Sequence, residues 1–233
     1  MQRHLASRLR LTDSEYVLVV VANRISRITD YSCEKTGGLF GDMASATMVS
    51  ALSSRRHPVH FEIVHAQADR VPAERPFFDF HIRQDVPVPR PGGLREQVAE
   101  RLVYSLDGMG IAETAPRAMS AAVAEALGEA GFSPSELRFV VPHQAGSGIV
   151  RFTGMQLEGL GIESELVNGL TRNTGNVSAC SVLHALHHEW QRLHGLVACP
   201  TAAVGSPGEP EVLQGCVLLR STPHHDHRAS VAA

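Results

Sequence analysis

The chain has 233 residues, 43% of them hydrophobic, enough for one large domain with a real core or for two small ones. Its 21 basic and 24 acidic residues leave a formal charge of −3, so bulk charge gives no reason to expect a nucleic-acid partner. Four scattered cysteines, Cys33, Cys180, Cys199 and Cys216, form no C-x-x-C pair, which points to reduced thiols and a cytoplasmic location rather than a disulfide scaffold or a zinc site. The longest clean apolar run near the start, residues 17–22, is far too short to cross a bilayer, and Asp13 and Glu15 before it are wrong for a secretory signal.

Taken in chain order, residues 2–11 carry Leu5, Leu9 and Leu11 on one side and read as an amphipathic helix, followed by a polar turn over 12–15. Residues 17–22 are a continuous, largely β-branched run, expected as a strand buried on both faces. A loop over 23–41 has Gly37-Gly38 as its hinge. Residues 44–52 and 57–66 alternate apolar and polar side chains and are expected to pair antiparallel through 53–56. Residues 67–93, rich in Pro and Arg, read as a surface loop or extended strand. The spacing predicts a helix over 94–106 and a stronger one over 111–128, where Ala115, Met119, Ala122 and Ala126 make one stripe. Ser133-Pro134-Ser135-Glu136 is an N-cap pattern opening a single turn before a short buried strand at 139–141. A helix follows over 147–160, ended by Gly159 and Gly161. The longest helix is expected over 178–194, burying Ala179, Leu183, Leu186, Trp190 and Leu193. Two strands, 196–204 and 212–219, close the chain through a turn at 205–210, and the polar tail from Thr222 is expected to be disordered.

Two stretches stand where an apolar run gives way to small and polar residues: Val141-Pro142-His143-Gln144-Ala145, and Asn173-Thr174-Gly175-Asn176-Val177-Ser178-Ala179. Ligands of open α/β sheets bind beyond the carboxyl ends of strands, where His143 falls. A neutral imidazole N–H and a carboxamide N–H₂ both donate without losing a proton, so His143 and Asn176, 176 − 143 = 33 residues apart, suit a single substrate oxygen. Each has a blander reading, as a strand-end histidine satisfied by backbone and as a turn or helix-cap asparagine. Asn173 is a weaker candidate, and Gly175 allows a tight backbone approach.

P-H-Q-A followed by G-N-x-S-A resembles the C-terminal half of β-ketoacyl-acyl-carrier-protein synthase III, a thiolase-fold enzyme. Leu18-Val19-Val20-Val21-Ala22, Ser26-Arg27-Ile28, Asp30-Tyr31 and Leu39-Phe40-Gly41-Asp42 resemble the strand, loop and L-F-G-D turn that follow that family's nucleophilic cysteine. The resemblance is collinear and covers most of residues 5–221. It implies an α/β, thiolase-like layered αβαβα fold, with 1–92 the end of the first half, 93–221 the second half and 222–233 a tail. It also implies a decarboxylative thioester Claisen condensation in fatty-acid or polyketide-like synthesis. His143 and Asn176 would hold the malonyl thioester oxygen, with Gly175, Gly205 and Arg151 as substrate-binding residues. The implied substrates are acyl-CoA and acyl-carrier-protein thioesters, with no cofactor and no metal. The implied partners are the carrier protein and a second subunit in a homodimer or heterodimer, with no nucleic acid and no membrane.

The family's cysteine segment is expected upstream of Met1, and none of the four cysteines is assigned as acyl carrier. Cys180 falls where the family has a small residue, Cys33 where it often has an acidic one, and Cys199 and Cys216 read as strand core. The chain is therefore expected to be a C-terminal portion supplying the His/Asn donors. The alternatives are a non-catalytic partner or scaffold subunit of a heterodimeric synthase, or acyl transfer to an oxygen or nitrogen nucleophile. Gly146 replaces the family's Asn after P-H-Q-A, and Gly148 replaces a basic residue that docks the carrier, with Arg151 one helical turn on. Met43-Ala44-Ser45-Ala46 stands where the family prefers G-A-G-A, and residues 205–210 replace its glycine-rich loop. His184, His187 and His188 read as a solvated helix face rather than a metal site, and the histidines of 224–227 as tail. Arg55, Arg56, Arg70, Arg75 and Arg83 make the first half locally basic, either as a seat for an acidic carrier or as scattered surface charge.

Overall fold

The computed structural model describes residues 16–50, 60–88 and 97–223; the expected helix over 2–11, the turn at 12–15, the connector at 53–56 and the tail beyond Pro223 lie outside them. In chain order the elements are β1 (Tyr16–Asn23), β2 (Met43–Ser50), β3 (Phe61–Pro72), β4 (Phe78–Val88), β5 (Gln97–Leu106), α1 (Gly108–Ala130), β6 (Leu137–Val140), α2 (Ser147–Gly159), β7 (Glu165–Leu166), the single turn α3 (Thr171–Thr174), α4 (Ser181–His188), β8 (Leu196–Val204) and β9 (Glu211–Ser221).

Five strands form the main sheet in the order β3-β9-β8-β6-β7. β6 is parallel to both its neighbours, and β9 is antiparallel to β8 and β3. The first five residues of β8 are all buried, as a strand covered on both faces must be. On one face Ala122, Val123, Ala126 and Leu127 of α1, with Leu157 of α2, pack on Leu137, Val140, Ala198 and Leu218. The small side chains of α1 let it lie close to the strands. Its ends are closed chemically: Asp107 accepts from the Gly110 N–H at 3.0 Å, and Gly131, at φ 74°, lets the Phe132 N–H reach the Leu127 carbonyl at 2.9 Å. On the other face Phe139, Val141, Val197, Cys199 and Leu219 meet Val167, Ala185 and Leu193. Beyond α4 lies the antiparallel ribbon β1–β2, in contact with α4 and with the 3₁₀ turn at Ser178–Cys180. Helices, sheet, helix and ribbon therefore stack in layers, the thiolase-like α/β arrangement expected from the sequence.

Several elements differ from expectation. β2 pairs with β1, and β3, from the segment assigned to the first half, pairs with β9 at the edge of the main sheet. The antiparallel pair expected between 44–52 and 57–66 does not form, because Phe61 and Ile63 pack into the core beneath the sheet with Val217 and Leu219. β1 is not buried on both faces; exposure alternates along it, leaving Leu18 at 61% and Val20 at 62% exposed beside Met48 at 65%. In register Leu18 faces Met48 and Val20 faces Ala46, so these side chains make one apolar stripe, uncovered among the described residues.

Residues 97–106 are a strand rather than a helix. Leu94, Val98, Leu102 and Leu106 recur every four residues and imitate a helical stripe, but Val103 and Tyr104 are the buried pair, at 1% and 5% exposure. Phe80 lies opposite Tyr104 and Ile82 opposite Leu102, and cross-strand pairing of this kind outweighs local propensity. Of the two readings of 67–93, the extended strand holds for the described part, where 67–72 end β3 and 78–88 form β4.

The longest helix is α1, not residues 178–194, which divide into a 3₁₀ turn, the eight residues of α4 and an irregular return. Ser178, at φ 49°, resets the helical phase, so Ala179 is exposed while Cys180, Ser181 and Ala185 are buried. At the far end Trp190 sets its ring against Phe61 at 5.0 Å, Leu193 is fully buried, and Gly195 at φ 68° turns the chain into β8.

Candidate active site

The backbone of the P-H-Q-A stretch continues the parallel ladder past the end of β6. The Val141 N–H donates to the Ala198 carbonyl at 2.8 Å and the His143 N–H to the Pro200 carbonyl at 2.9 Å. β8 thus satisfies the main chain and leaves the imidazole for other work. His143 Nδ1 lies 2.5 Å from Ser181 Oγ, which also accepts the Gln144 N–H at 3.3 Å. Gln144 is buried and donates through Nε2 to the Pro142 and Val167 carbonyls, each at 3.0 Å, fixing this loop to the segment after β7.

Burial lowers the His143 pKa from an ordinary 6.5 to about 4, so the ring is neutral across the physiological range. Because the folded value is the lower one, the unfolded chain binds the extra proton. The associated stability is complete above pH 6.5 and is lost as pH falls toward 4. Denaturant unfolding at pH 7 and pH 4.5 should show a loss of a few kcal/mol, at most ~3, that His143→Gln removes. A pH dependence that persists unchanged in that variant would contradict the assignment.

Asn176 is 7% exposed and is held by the L-F-G-D turn. Its N–H donates to the Leu39 carbonyl at 2.9 Å, its carbonyl accepts from the Gly41 N–H at 3.0 Å, and it forms a parallel bridge with Phe40. Its Oδ1 accepts the Ser178 N–H at 2.8 Å, which orients the carboxamide and leaves the N–H₂ end without a protein partner among the described residues. Gly175 is required here: its φ is 67°, and a Cβ would sit 3.1 Å from the Leu39 oxygen and 3.2 Å from the Gly41 nitrogen. Asn23 clamps the same turn from β1, donating to the Val177 carbonyl at 3.1 Å and to Cys180 Sγ at 3.2 Å.

Ser181 lies 181 − 176 = 5 residues beyond Asn176 and holds the His143 ring, so the two motifs meet at the start of α4. His143, Gly175 and Asn176 belong to this junction. Gly205 does not: its N–H donates to the Glu211 carbonyl at 3.0 Å in the β8–β9 turn, five residues along the strand from Pro200, roughly 16 Å at strand rise. Arg151 is exposed on α2, with its guanidinium 5.7 Å from the Phe152 ring and beside a groove floored by Leu157 and Ile162. Asn173 is exposed on α3.

Sequence reasoning missed Ser181 and Asn23. Their contacts span 38 and 154 residues, and neither belongs to the short patterns that flag His143 and Asn176. Asp30, of the Asp30-Tyr31 pair in the resemblance, is buried in the loop after β1, accepts from the Ser32 N–H at 3.0 Å and pairs with Arg83. Arg70 pairs with Glu211 at 3.1 Å and Arg75 with Asp107 at 2.7 Å. Three of the arginines weighed as a carrier seat therefore have carboxylate partners within the chain.

Cys180 is fully buried and its thiol donates to the Val21 and Met43 carbonyls at 3.3 and 3.2 Å, fastening the ribbon to the asparagine turn. Cys199 and Cys216 belong to the cores on opposite faces of the main sheet. Burial pushes the Cys199 thiol well up, helped by Cys216, and pushes Cys216 up to about 12. Cys33 is partly exposed, and a hydrogen bond with the Thr36 side chain lowers its pKa. Brief alkylation of the native chain should label Cys33 and spare the other three, as read by peptide mass spectrometry; equal labelling of Cys180 would contradict its structural assignment. His187 and His188 are exposed and His184 is partly buried on α4, and no group of three His, Cys, Asp or Glu suited to a metal occurs among the described residues. No helix among those residues is long and apolar enough to cross a membrane.

The fold and these motifs have clear relatives. The family model described as 3-oxoacyl-[acyl-carrier-protein] synthase III C terminal matches residues 127–197, and that of 3-oxoacyl-[acyl-carrier-protein] synthase III matches residues 4–67. The β-ketoacyl-[acyl-carrier-protein] synthase III of Geobacillus kaustophilus is 28% identical over 175 residues, which are 75% of this chain and 47% of that protein. The Neisseria gonorrhoeae synthase III is 30% identical over 169 residues, 72% of this chain and 47% of that protein. Among solved structures, the Aquifex aeolicus 3-oxoacyl-[acyl-carrier-protein] synthase III superposes with a TM-score of 0.59 at 23% identity, covering 88% of this chain and 57% of that one. A tetronic acid condensing enzyme superposes with a TM-score of 0.66 at 18% identity, covering 94% and 63%. The molecule is thus a thiolase-like α/β protein. The chain belongs to the 3-oxoacyl-[acyl-carrier-protein] synthase III family and spans about half the length of the curated relatives it matches.

Proposed function

We propose that the chain supplies the oxyanion-binding half of a condensing acyltransferase acting on a malonyl-type thioester. The thioester oxygen takes hydrogen bonds from the His143 Nε2–H and the Asn176 N–H₂. The bond to the malonyl carboxylate breaks, carbon dioxide leaves, and the electron pair spreads onto that oxygen as an enolate. The enolate carbon then attacks an acyl group carried as a cysteine thioester, the C–S bond breaks, and the thiolate departs, leaving a 3-oxoacyl thioester. Neutral donors aimed at the developing charge lower such a barrier without proton loss. The observation that carries this reading is the Ser181–His143 contact, which ties the imidazole to the helix that the asparagine turn opens. Cys180, Cys199 and Cys216 are buried, and Cys33 stands where the family often has an acidic residue, which together support a thiol supplied by a separate segment, in the same polypeptide or in a dimer partner. The thioesters are carried on coenzyme A or acyl-carrier protein, no metal or further cofactor takes part, and the work is done in the cytoplasm.

A second reading, a non-catalytic subunit of a heterodimeric synthase, is favoured by Gly146 and Gly148 in place of polar residues beside the site and by the apolar stripe on β1 and β2, uncovered among the described residues. The two separate on one assay. The chain is mixed with a polypeptide bearing the family's cysteine segment, and carbon dioxide release from a malonyl thioester is measured. Release that depends on His143 supports the catalytic reading; release indifferent to His143→Ala supports the scaffold.

A further inference from the structure

We infer that Ser181 is a positioning residue that selects the tautomer of His143, holding the ring with its proton on Nε2. Ser181 is 1% exposed, and its Oγ has two neighbours, His143 Nδ1 at 2.5 Å and the Gln144 N–H at 3.3 Å. The amide can only donate, so it occupies one lone pair of the oxygen. If Nδ1 also carried a proton, it would take the second lone pair. The serine proton would then have no acceptor in a place closed to water. If the serine hydroxyl donates to Nδ1, its proton, the Nδ1 lone pair and the lone pair taken by the amide are all used, and the ring proton lies on Nε2, the nitrogen turned away from Ser181. Buried polar groups settle in the arrangement that satisfies them all.

The neighbours on the chain hold this geometry. The His143 N–H is fixed on the Pro200 carbonyl at 2.9 Å, and Gln144 is fixed by two hydrogen bonds to carbonyls. The backbone that carries the ring is therefore fixed, and the Gln144 N–H is held against the same hydroxyl. The catalytic value of an Nε2 proton rests on the oxyanion reading of His143; the tautomer itself does not.

Long-range ¹H–¹⁵N correlation spectra of the ¹⁵N-labelled full chain at pH 7 test it, with the His143 signals assigned by their loss in His143→Ala. The expected wild-type pattern is an unprotonated Nδ1 and a protonated Nε2. Ser181→Ala should move both nitrogens toward the exchange-averaged values of a free histidine, and Ser181→Thr, which keeps the hydroxyl, should retain the wild-type pattern. A wild-type ring protonated on Nδ1 overturns the inference before any variant is made, and so does a wild-type pattern that persists in Ser181→Ala. Malonyl-thioester decarboxylation is read separately, so a correct tautomer without turnover would count against the proposed reaction and leave the role of Ser181 standing.

Discussion

With His143 acting as proposed, His143→Ala is expected to lower carbon dioxide release by the complemented chain ~10²- to 10³-fold, with binding of the malonyl thioester changed far less. Removing one preorganised donor to a developing oxyanion costs roughly 2.7–4 kcal/mol of transition-state stabilisation, and that donor does much less for the uncharged ground state. The loss appears in the rate because His143 is neutral, with its pKa lowered to about 4 by burial, so it offers a hydrogen bond and not a full charge. Asn176→Ala should cost a similar factor. The double variant should lose less than the product of the two if both side chains serve one oxygen as proposed, because residues acting as a unit are not additive. Fully multiplicative losses, or a His143→Ala enzyme within about threefold of the parent, would show that the two side chains do not share a substrate atom.

Gly41→Ala is expected to give the largest loss of stability of any alanine placed at a described glycine. A Cβ at Gly41 would overlap the Thr174 carbonyl oxygen, which is backbone and has no rotamer to retreat into. Overpacking of this kind costs roughly 1–3 kcal/mol, and in a chain of this size that is about 2–4 °C of melting temperature for each kcal/mol. The damage is also local, because Gly41 donates its N–H to the Asn176 carbonyl at 3.0 Å. Turnover should therefore fall further than the melting shift accounts for. Gly131→Ala is the control: its φ is 74°, but a Cβ there meets nothing within 4 Å, so it costs about 1 kcal/mol through the backbone alone and leaves activity intact. Equal shifts for the two variants would refute the steric argument at Gly41.

What could be read from the residues depended on how far apart the partners lie. α1, the single turn at Pro134–Glu136, α2 with its glycine end and the strand before His143 all announce themselves within a few positions, because caps and apolar periodicity are local. β5 did not, because a spacing of four among leucines and valine satisfies a helix until β4 arrives to pair with it. β1 looked like a central strand because its outward residues are apolar, and only the layering shows that they face away from α4. In the site, His143, Gly175 and Asn176 sit in short patterns that limit the choice. Ser181 and Asn23 were invisible since each acts across the fold. Gly205 was chosen by analogy of position in the chain, and the long regular hairpin of β8 and β9 carries it away from Pro200.

The two donors ride on supports of unequal strength. His143 extends from a sheet filled on both faces, whereas Asn176 is held by the L-F-G-D turn and the 3₁₀ turn at Ser178–Cys180, next to a two-stranded ribbon with one face open among the described residues. A lone ribbon is marginal by itself, and regions with less packing open at lower free energy than the core. On warming, the asparagine side should loosen while the sheet still holds, so the proposed activity should have a lower thermal ceiling than the fold. Whatever seats on Leu18, Val20 and Met48 would raise that ceiling from a distance, without touching a reacting atom.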